Sequence, residues 1–149
     1  VLPNSLTSIG RGAFYGCTTL PQVVFPDSIT TIGGSAFYDC RSLTQVTLPA
    51  KLSTIEAGAF SGCLQLRMIQ APDSSPHFTS VDGVLFDKFG TTLLQYPAGK
   101  ANNYAVPDQV ITIGPAAFSS CSNLICVTLP NSVTTIGSGA FAGCSSLSQ

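Results

Sequence analysis

Apolar and polar positions recur along this chain in one fixed order. An alanine–phenylalanine pair is followed by a cysteine, then by leucine, valine and leucine at strand-like spacing, and finally by proline. The phenylalanines of this frame form one series: Phe14, Phe37, Phe60, Phe118 and Phe141. Their spacings are 23, 23, 58 and 23 residues, and the cysteines at 17, 40, 63, 121 and 144 repeat those spacings. The pattern predicts one structural unit for every 23 residues.

Each unit carries a strand pattern just before its proline. In the second copy Leu43, Val46 and Leu48 are predicted to face inward, while Gln45 and Thr47 face outward, because side chains alternate along a strand. Neighbouring units would pair these strands in parallel. A return arm follows each proline, with two apolar ends facing the core around a pair of outward polar residues.

The alanine–phenylalanine pair is predicted to lie in a short helical turn. Small residues lead into the pair, and Pro115 stands where a first helical residue would, a position that suits proline. The residue before each cysteine is Gly, Asp or Ser, which suits a left-handed helix end where it is Gly. The phenylalanine rings would then stack as a spine between the arms.

A period of about 20–29 residues with a leucine-rich strand is the signature of a leucine-rich repeat solenoid. We therefore predict an α/β fold in the form of a horseshoe segment. Its parallel β-sheet would lie on the concave face, with short helical turns behind it. Residues 1–149 would form a single domain of about six turns.

The frame is enlarged once, and we predict one irregular repeat at residues 72–106. A β-hairpin is expected to replace the alanine–phenylalanine turn there. Its predicted parts are a turn at 82–83, strands at 84–86 and 93–96, a loop at 87–90 and an exit loop at 100–103.

Composition and charge exclude several classes of function. Charged residues make up 9% of the chain, against about 25% in typical proteins, and the formal net charge is -1. Without a basic patch, the chain is not expected to bind nucleic acid or an anionic membrane surface. Its apolar runs are too short to span a bilayer.

Catalytic and metal-binding chemistry finds little support in the sequence. The acidic residues are spread thinly, and His77, the single histidine, falls in a loop with no Ser or Cys at a suggestive spacing. No CxxC pair is present. We predict that the chain is not an enzyme and needs no cofactor or metal.

Five of the six cysteines occupy one phase of the repeat. Buried thiols behave as small hydrophobic groups, so we predict a cysteine ladder in the core, with disulfides or metal binding as the alternatives. Cys126 is the exception, because it falls on the outward side of a strand. It is either an incidental surface residue or an exposed thiol available for intermolecular disulfides or oxidation.

Outward positions of the predicted strands form a candidate partner-binding face, because curved solenoids bind extended ligands on such faces. Arg67 is its single charged residue and therefore the best anchor. The alternative is an ordinary solvated sheet surface. The candidate residues are Gln22, Val24, Gln45, Thr47, Arg67, Met68, Gln70, Cys126 and Thr128.

The frame LPxSLTSIGxGAFxGCxxLxxVxLP, seen here from Leu2 through Cys17 and Leu20, resembles the BspA-like leucine-rich repeat family of bacterial and protozoan surface proteins. Glu56, where the other arms place Gly, and Ala71, in place of the third inward Leu, depart from it. The resemblance implies a surface-exposed or secreted protein without catalytic residues. It also implies a protein partner, such as a host extracellular-matrix protein or another cell-surface protein.

Two functional hypotheses follow from the sequence and the resemblance. In the first, the chain is a non-catalytic protein-binding or adhesion module. In the second, it is a structural spacer or stalk segment whose parent protein binds elsewhere. The chain begins and ends inside a repeat without evident caps, so we expect it to be a fragment of a longer protein.

Overall fold

The computed structural model describes residues 1–100 and 102–149. Within them the chain forms twelve strands and no α-helix, so the predicted α/β class and the short helical turns are wrong. The fold is a β-solenoid of about 6 turns. Ala101, which belongs to the predicted exit loop, lies outside the described residues.

Most of the strands are only two to four residues long, because each turn of the solenoid is short. In chain order they are β1 (Ser8–Ile9), β2 (Thr31–Ile32), β3 (Gln45–Thr47), β4 (Thr54–Ile55), β5 (Met68–Gln70), β6 (Phe78–Val81), β7 (Val84–Asp87), β8 (Thr92–Gln95), β9 (Asn103–Ala105), β10 (Thr112–Ile113), β11 (Cys126–Thr128) and β12 (Thr135–Ile136).

The alanine–phenylalanine segments form successive turns rather than helices. An α-helix bonds each N–H to the carbonyl four residues earlier. Here the Phe14 N–H instead donates to the Ala36 carbonyl of the next repeat at 2.7 Å. Gly12 and Gly16 flank the segment with φ angles of 65° and 72°, in the left-handed region that interrupts a right-handed helix. Pro115 therefore leads into a turn, not into a helix.

Both stretches of each repeat contribute to parallel sheets. The strands before the prolines pair as predicted, β3 with β5 and β9 with β11. The return arms pair as well, in the orders β1–β2–β4 and β8–β10–β12. Residues 20–25, the first predicted strand, are extended alongside β3 but are not themselves a strand.

Aromatic rings at equivalent positions of neighbouring repeats stack on one another, as predicted. Phe14, Phe37 and Phe60 form one stack, with ring centroids 5.0 and 5.3 Å apart. In a second stack Phe118 lies 4.9 Å from Phe141 and 5.2 Å from Tyr96. Tyr96 replaces phenylalanine here, and its N–H donates to the Ala117 carbonyl at 2.7 Å, as Phe14 does to Ala36.

The insertion is a three-stranded antiparallel meander of β6, β7 and β8. The predicted hairpin of β7 and β8 is present, but it does not replace the alanine–phenylalanine turn. Its strand β8 pairs in parallel with β10 and therefore replaces the return arm, while Tyr96 supplies the aromatic position. Asn103, predicted in the exit loop, instead begins β9.

Strand β7 separates two hydrophobic cores. Leu85 packs into the core of the first repeats, whereas its neighbours Val84 and Phe86 pack into the core of the last repeats. All three side chains are buried, since both faces of the strand are covered. The next strand does the same, with Leu94 against the first core and Leu93 in the second.

Replacing a central ring of the first stack is expected to destabilise the fold strongly. Phe37 is fully buried and stacks on both sides, so Phe37→Ala should lower the free energy of unfolding by about 3–5 kcal/mol. Phe14→Ala is the matched control, because Phe14 is half-buried and stacks on one ring of the series. Urea unfolding followed by circular dichroism measures both, and equal losses would contradict a spine that depends on stacking on both sides.

Candidate binding face

Three neighbouring segments present most of the candidate residues on one surface. We define the strand face as the exposed side chains of residues 22–24, β3, β5 and Arg67. In β3 and β5 the central residues are buried, while Gln45, Thr47, Met68 and Gln70 are exposed. The parallel register places Gln45 beside Met68 and Thr47 beside Gln70.

Four of the candidate residues line a single open groove of about 470 Å³. They are Gln22, Val24, Gln45 and Thr47. Val24 is 75% exposed, so the groove offers an apolar contact among amide and hydroxyl groups. The loops after the prolines complete the walls with Asp27, Ala50 and Pro72. The groove suits a partner of mixed polar and apolar chemistry.

The turn between β6 and β7 covers the far edge of β5. Gly83 approaches so closely that a Cβ there would lie 3.1 Å from the Cα and Cγ of Met68. The Ile69 N–H donates to the Gly83 carbonyl at 2.9 Å. Both turn residues, Asp82 and Gly83, have positive φ angles of 49° and 77°, which suits a tight two-residue hairpin. Met68 is therefore only 38% exposed.

The candidate face is divided at this turn. Cys126 and Thr128 lie on β11, which pairs with β9 in a separate two-stranded sheet. Asp82 acts on the β9 side of the turn: burial raises the pKa of Tyr104 to about 12, and the negative charge of Asp82 raises it further in the same direction. The nine candidate residues consequently belong to two surfaces rather than one.

Arg67 lies on the first of these surfaces, immediately before β5. Its backbone N–H donates to the Thr44 carbonyl at 2.9 Å, which fixes the start of the strand. The side chain is exposed, and within residues 1–100 and 102–149 its guanidinium forms no ion pair. It is thus available to a partner as a point of positive charge.

Sequence reasoning missed three residues on these surfaces. Asn103 and Ala105 are exposed on β9 and stand beside Cys126 and Thr128. Their signal was present, because Tyr104, Val106 and Pro107 reproduce the strand frame with an aromatic residue in the valine position. Asp27 was read as a turn residue after Pro26, but it also lines the groove.

The cysteines that share a phase form a ladder of thiols, and all six cysteines are free. The Cys63 Sγ donates to the Phe37 carbonyl at 3.1 Å, and Cys40 and Cys144 make the equivalent bonds one repeat away. Burial raises the pKa of Cys40 to about 11 and that of Cys63 to about 12. Cys126 is half-buried on β11 rather than fully exposed.

Two further kinds of site were sought in the described residues. Across residues 1–100 and 102–149, no group of three or more His, Cys, Asp and Glu side chains is placed to hold a metal ion. The same part of the chain contains no helix with the length and apolarity to cross a membrane.

The stacked strands, the periodic core and the exposed strand face define a leucine-rich repeat solenoid. Comparison with protein families matches residues 1–99 and 91–149 to the BspA type leucine rich repeat region, with 6 copies. The chain belongs to the BspA-type leucine-rich repeat family.

Solved structures of bacterial proteins share the fold. A leucine rich cell surface protein from Faecalibacterium prausnitzii is 37% identical with a TM-score of 0.85, and the match covers 98% of this chain and 39% of that one. The pneumococcal vaccine antigen PcpA is 28% identical with a TM-score of 0.84, covering 99% and 37%. A leucine-rich repeat protein from Eubacterium ventriosum is 25% identical with a TM-score of 0.65, covering 92% and 49%.

This chain therefore spans less than half the length of each of these three structures. None of the curated proteins compared with the chain matches it.

Thiol reactivity should follow burial. The thiolate is the reactive form, and the raised pKa values of Cys40 and Cys63 leave almost none of it near neutral pH. Brief iodoacetamide treatment of the native protein near pH 8 should modify Cys126, Cys17 and Cys144 well before Cys40, Cys63 and Cys121, as measured by peptide mass spectrometry. The guanidinium-unfolded protein, in which all six should react alike, is the control. Equal modification in the native state would contradict the buried ladder.

Proposed function

We propose that the chain is a non-catalytic protein-binding module of a cell-surface or secreted leucine-rich repeat protein. Its partner would contact the strand face, with Arg67 as the charged anchor and the groove beside Val24 as the apolar pocket. A host extracellular-matrix protein or another cell-surface protein is the proposed class of partner.

One observation carries this proposal. Seven of the nine candidate residues lie together on the strand face, and four of them line one groove of about 470 Å³. The exposed apolar side chains Val24 and Met68 lie among amides and hydroxyls, with Arg67 as a cation beside them. Interfaces commonly combine an apolar contact, arginine and a polar rim in this way.

Two of the similar structures support a surface location. One is described as a leucine rich cell surface protein and another as a vaccine antigen. Family membership also supports a role without catalysis, since the chain matches a repeat family and its function rests on surfaces rather than on a reactive centre.

The test is a binding assay with a matched surface control. The wild-type chain would be titrated over immobilised collagen, laminin and fibronectin, and binding measured by surface plasmon resonance at moderate salt. Arg67→Ala combined with Met68→Ala should weaken any saturable binding at least tenfold, because both side chains belong to the proposed contact. Arg11→Ala combined with Tyr15→Ala removes an exposed arginine and an exposed large side chain from the turn side of the first repeat, and should leave binding unchanged.

Two outcomes would contradict the proposal. Saturable binding that survives the Arg67 and Met68 changes would move the contact away from the strand face. A complete absence of saturable binding across the panel would favour the spacer hypothesis, in which this segment holds other parts of its protein apart.

A further inference from the structure

The return-arm sheet is interrupted between β4 and β8. Strand β4 pairs with β2 on one edge and with no described strand on the other. Strand β8, which would be its next neighbour in an uninterrupted solenoid, is already paired on both edges with β7 and β10. An open strand edge therefore lies within the chain, at the junction of its two blocks of repeats.

The hydrogen bonds show which backbone groups face the opening. The Thr54 N–H donates to the Thr30 carbonyl at 3.1 Å, and the Glu56 N–H donates to the Ile32 carbonyl at 2.9 Å. Along a strand, the residues whose N–H and C=O point to one edge alternate with those that point to the other. The N–H and C=O of Ile55 therefore point away from β2 and into the opening.

The same groups are occupied elsewhere in the molecule. One repeat earlier, the Ile32 carbonyl accepts from Glu56. In the second block, the Ile113 carbonyl accepts from the Gly137 N–H at 2.8 Å. Each of these carbonyls is used by the arm of the following repeat, and the insertion removes that arm for Ile55.

The opening is a groove of about 250 Å³ with largely apolar walls. Leu85 and Leu94 of the insertion face the arm of β4 across it, and Pro115 belongs to the following repeat. Glu56 and Gln95 are its two polar side chains among the described lining residues, and one carboxylate oxygen of Glu56 is already held by the Gly34 N–H at 2.7 Å. The complete lining is Ile55, Glu56, Ala57, Leu85, Leu94, Gln95, Gly114 and Pro115.

We propose that this groove binds an extended segment of a partner protein, which adds to β4 as a parallel strand. The chemistry of the edge selects the occupant, because an adjacent N–H and C=O are satisfied together by a peptide backbone. The solenoid's own arms define the register, and all of them pair in parallel. The apolar walls require a branched apolar side chain after polar residues, as in the Thr-Thr-Ile arms. This site is separate from the strand face.

A capped synthetic peptide with the sequence of residues 131–137, labelled with fluorescein, is the probe. It contains β12, the arm that already pairs in parallel with β10. Fluorescence anisotropy should show saturable binding to the wild-type chain. Its last residue corresponds to Gly137, whose N–H would donate to the Ile55 carbonyl. Replacing that glycine of the peptide by sarcosine removes the donor and should weaken binding about tenfold.

Two protein variants locate the binding. Ala57 is exposed and lines the groove, so Ala57→Phe should fill it and weaken binding at least tenfold. Ser138 holds the equivalent position in the last repeat and is also exposed. Because β12 also lies at the end of its sheet, Ser138→Phe tests binding at that edge, and it should leave the affinity unchanged.

Amide hydrogen exchange supplies a measurement that does not depend on the variants. In the free protein the Ile55 amide should exchange much faster than the Ile32 amide, and the peptide should protect it. The proposal is overturned if the wild-type chain shows no saturable binding, if the sarcosine peptide binds equally well, or if Ser138→Phe weakens binding as much as Ala57→Phe. An Ile55 amide as slow as that of Ile32 in the free protein would also overturn it.

Discussion

Every turn of this solenoid depends on the next turn to satisfy its backbone. The N–H of Phe14 finds its acceptor in Ala36, and that of Phe37 finds its acceptor in Ala59. Buried N–H groups without a partner are costly, so the turns are held at the spacing of a β-sheet along both arms and through the bends. Equivalent residues are thereby stacked on one another, phenylalanine on phenylalanine and thiol beside thiol. The core is periodic because the hydrogen bonding is periodic.

This dependence explains which parts of the fold could be predicted from the sequence. The inward positions of the strands, the aromatic spine and the buried cysteines follow from the 23-residue period and from side-chain alternation. The helical turns were a wrong prediction, because Pro115 and the alanine–phenylalanine pairs look helical when read alone. Their N–H groups bond to another repeat, and that partner cannot be seen in a local window of sequence.

The insertion shows a different limit of sequence reasoning. Its hairpin was recognised from turn residues and apolar runs, but its place in the solenoid was not. Tyr96 and Tyr104 take positions that the other repeats give to phenylalanine and valine, at spacings that differ from 23 residues, so a search by period passes over them. The division of the strand face follows from where the turn of Asp82 and Gly83 meets Met68, which is a tertiary contact between residues 14 or more positions apart. Alternation could place the individual residues of the face but not this break.

Strand β7 has a consequence for how such a protein can change in length. Within either block one repeat meets another of nearly the same sequence, so unequal recombination between copies could add or remove whole units while every new junction resembles an old one. The insertion offers no such equivalence, because Leu85 on one face and Val84 and Phe86 on the other fit two different neighbours. Copies can therefore multiply on either side of this joint, but a crossover within it would leave one face of β7 without its matching core. The joint would persist as a fixed landmark while the number of repeats around it drifts.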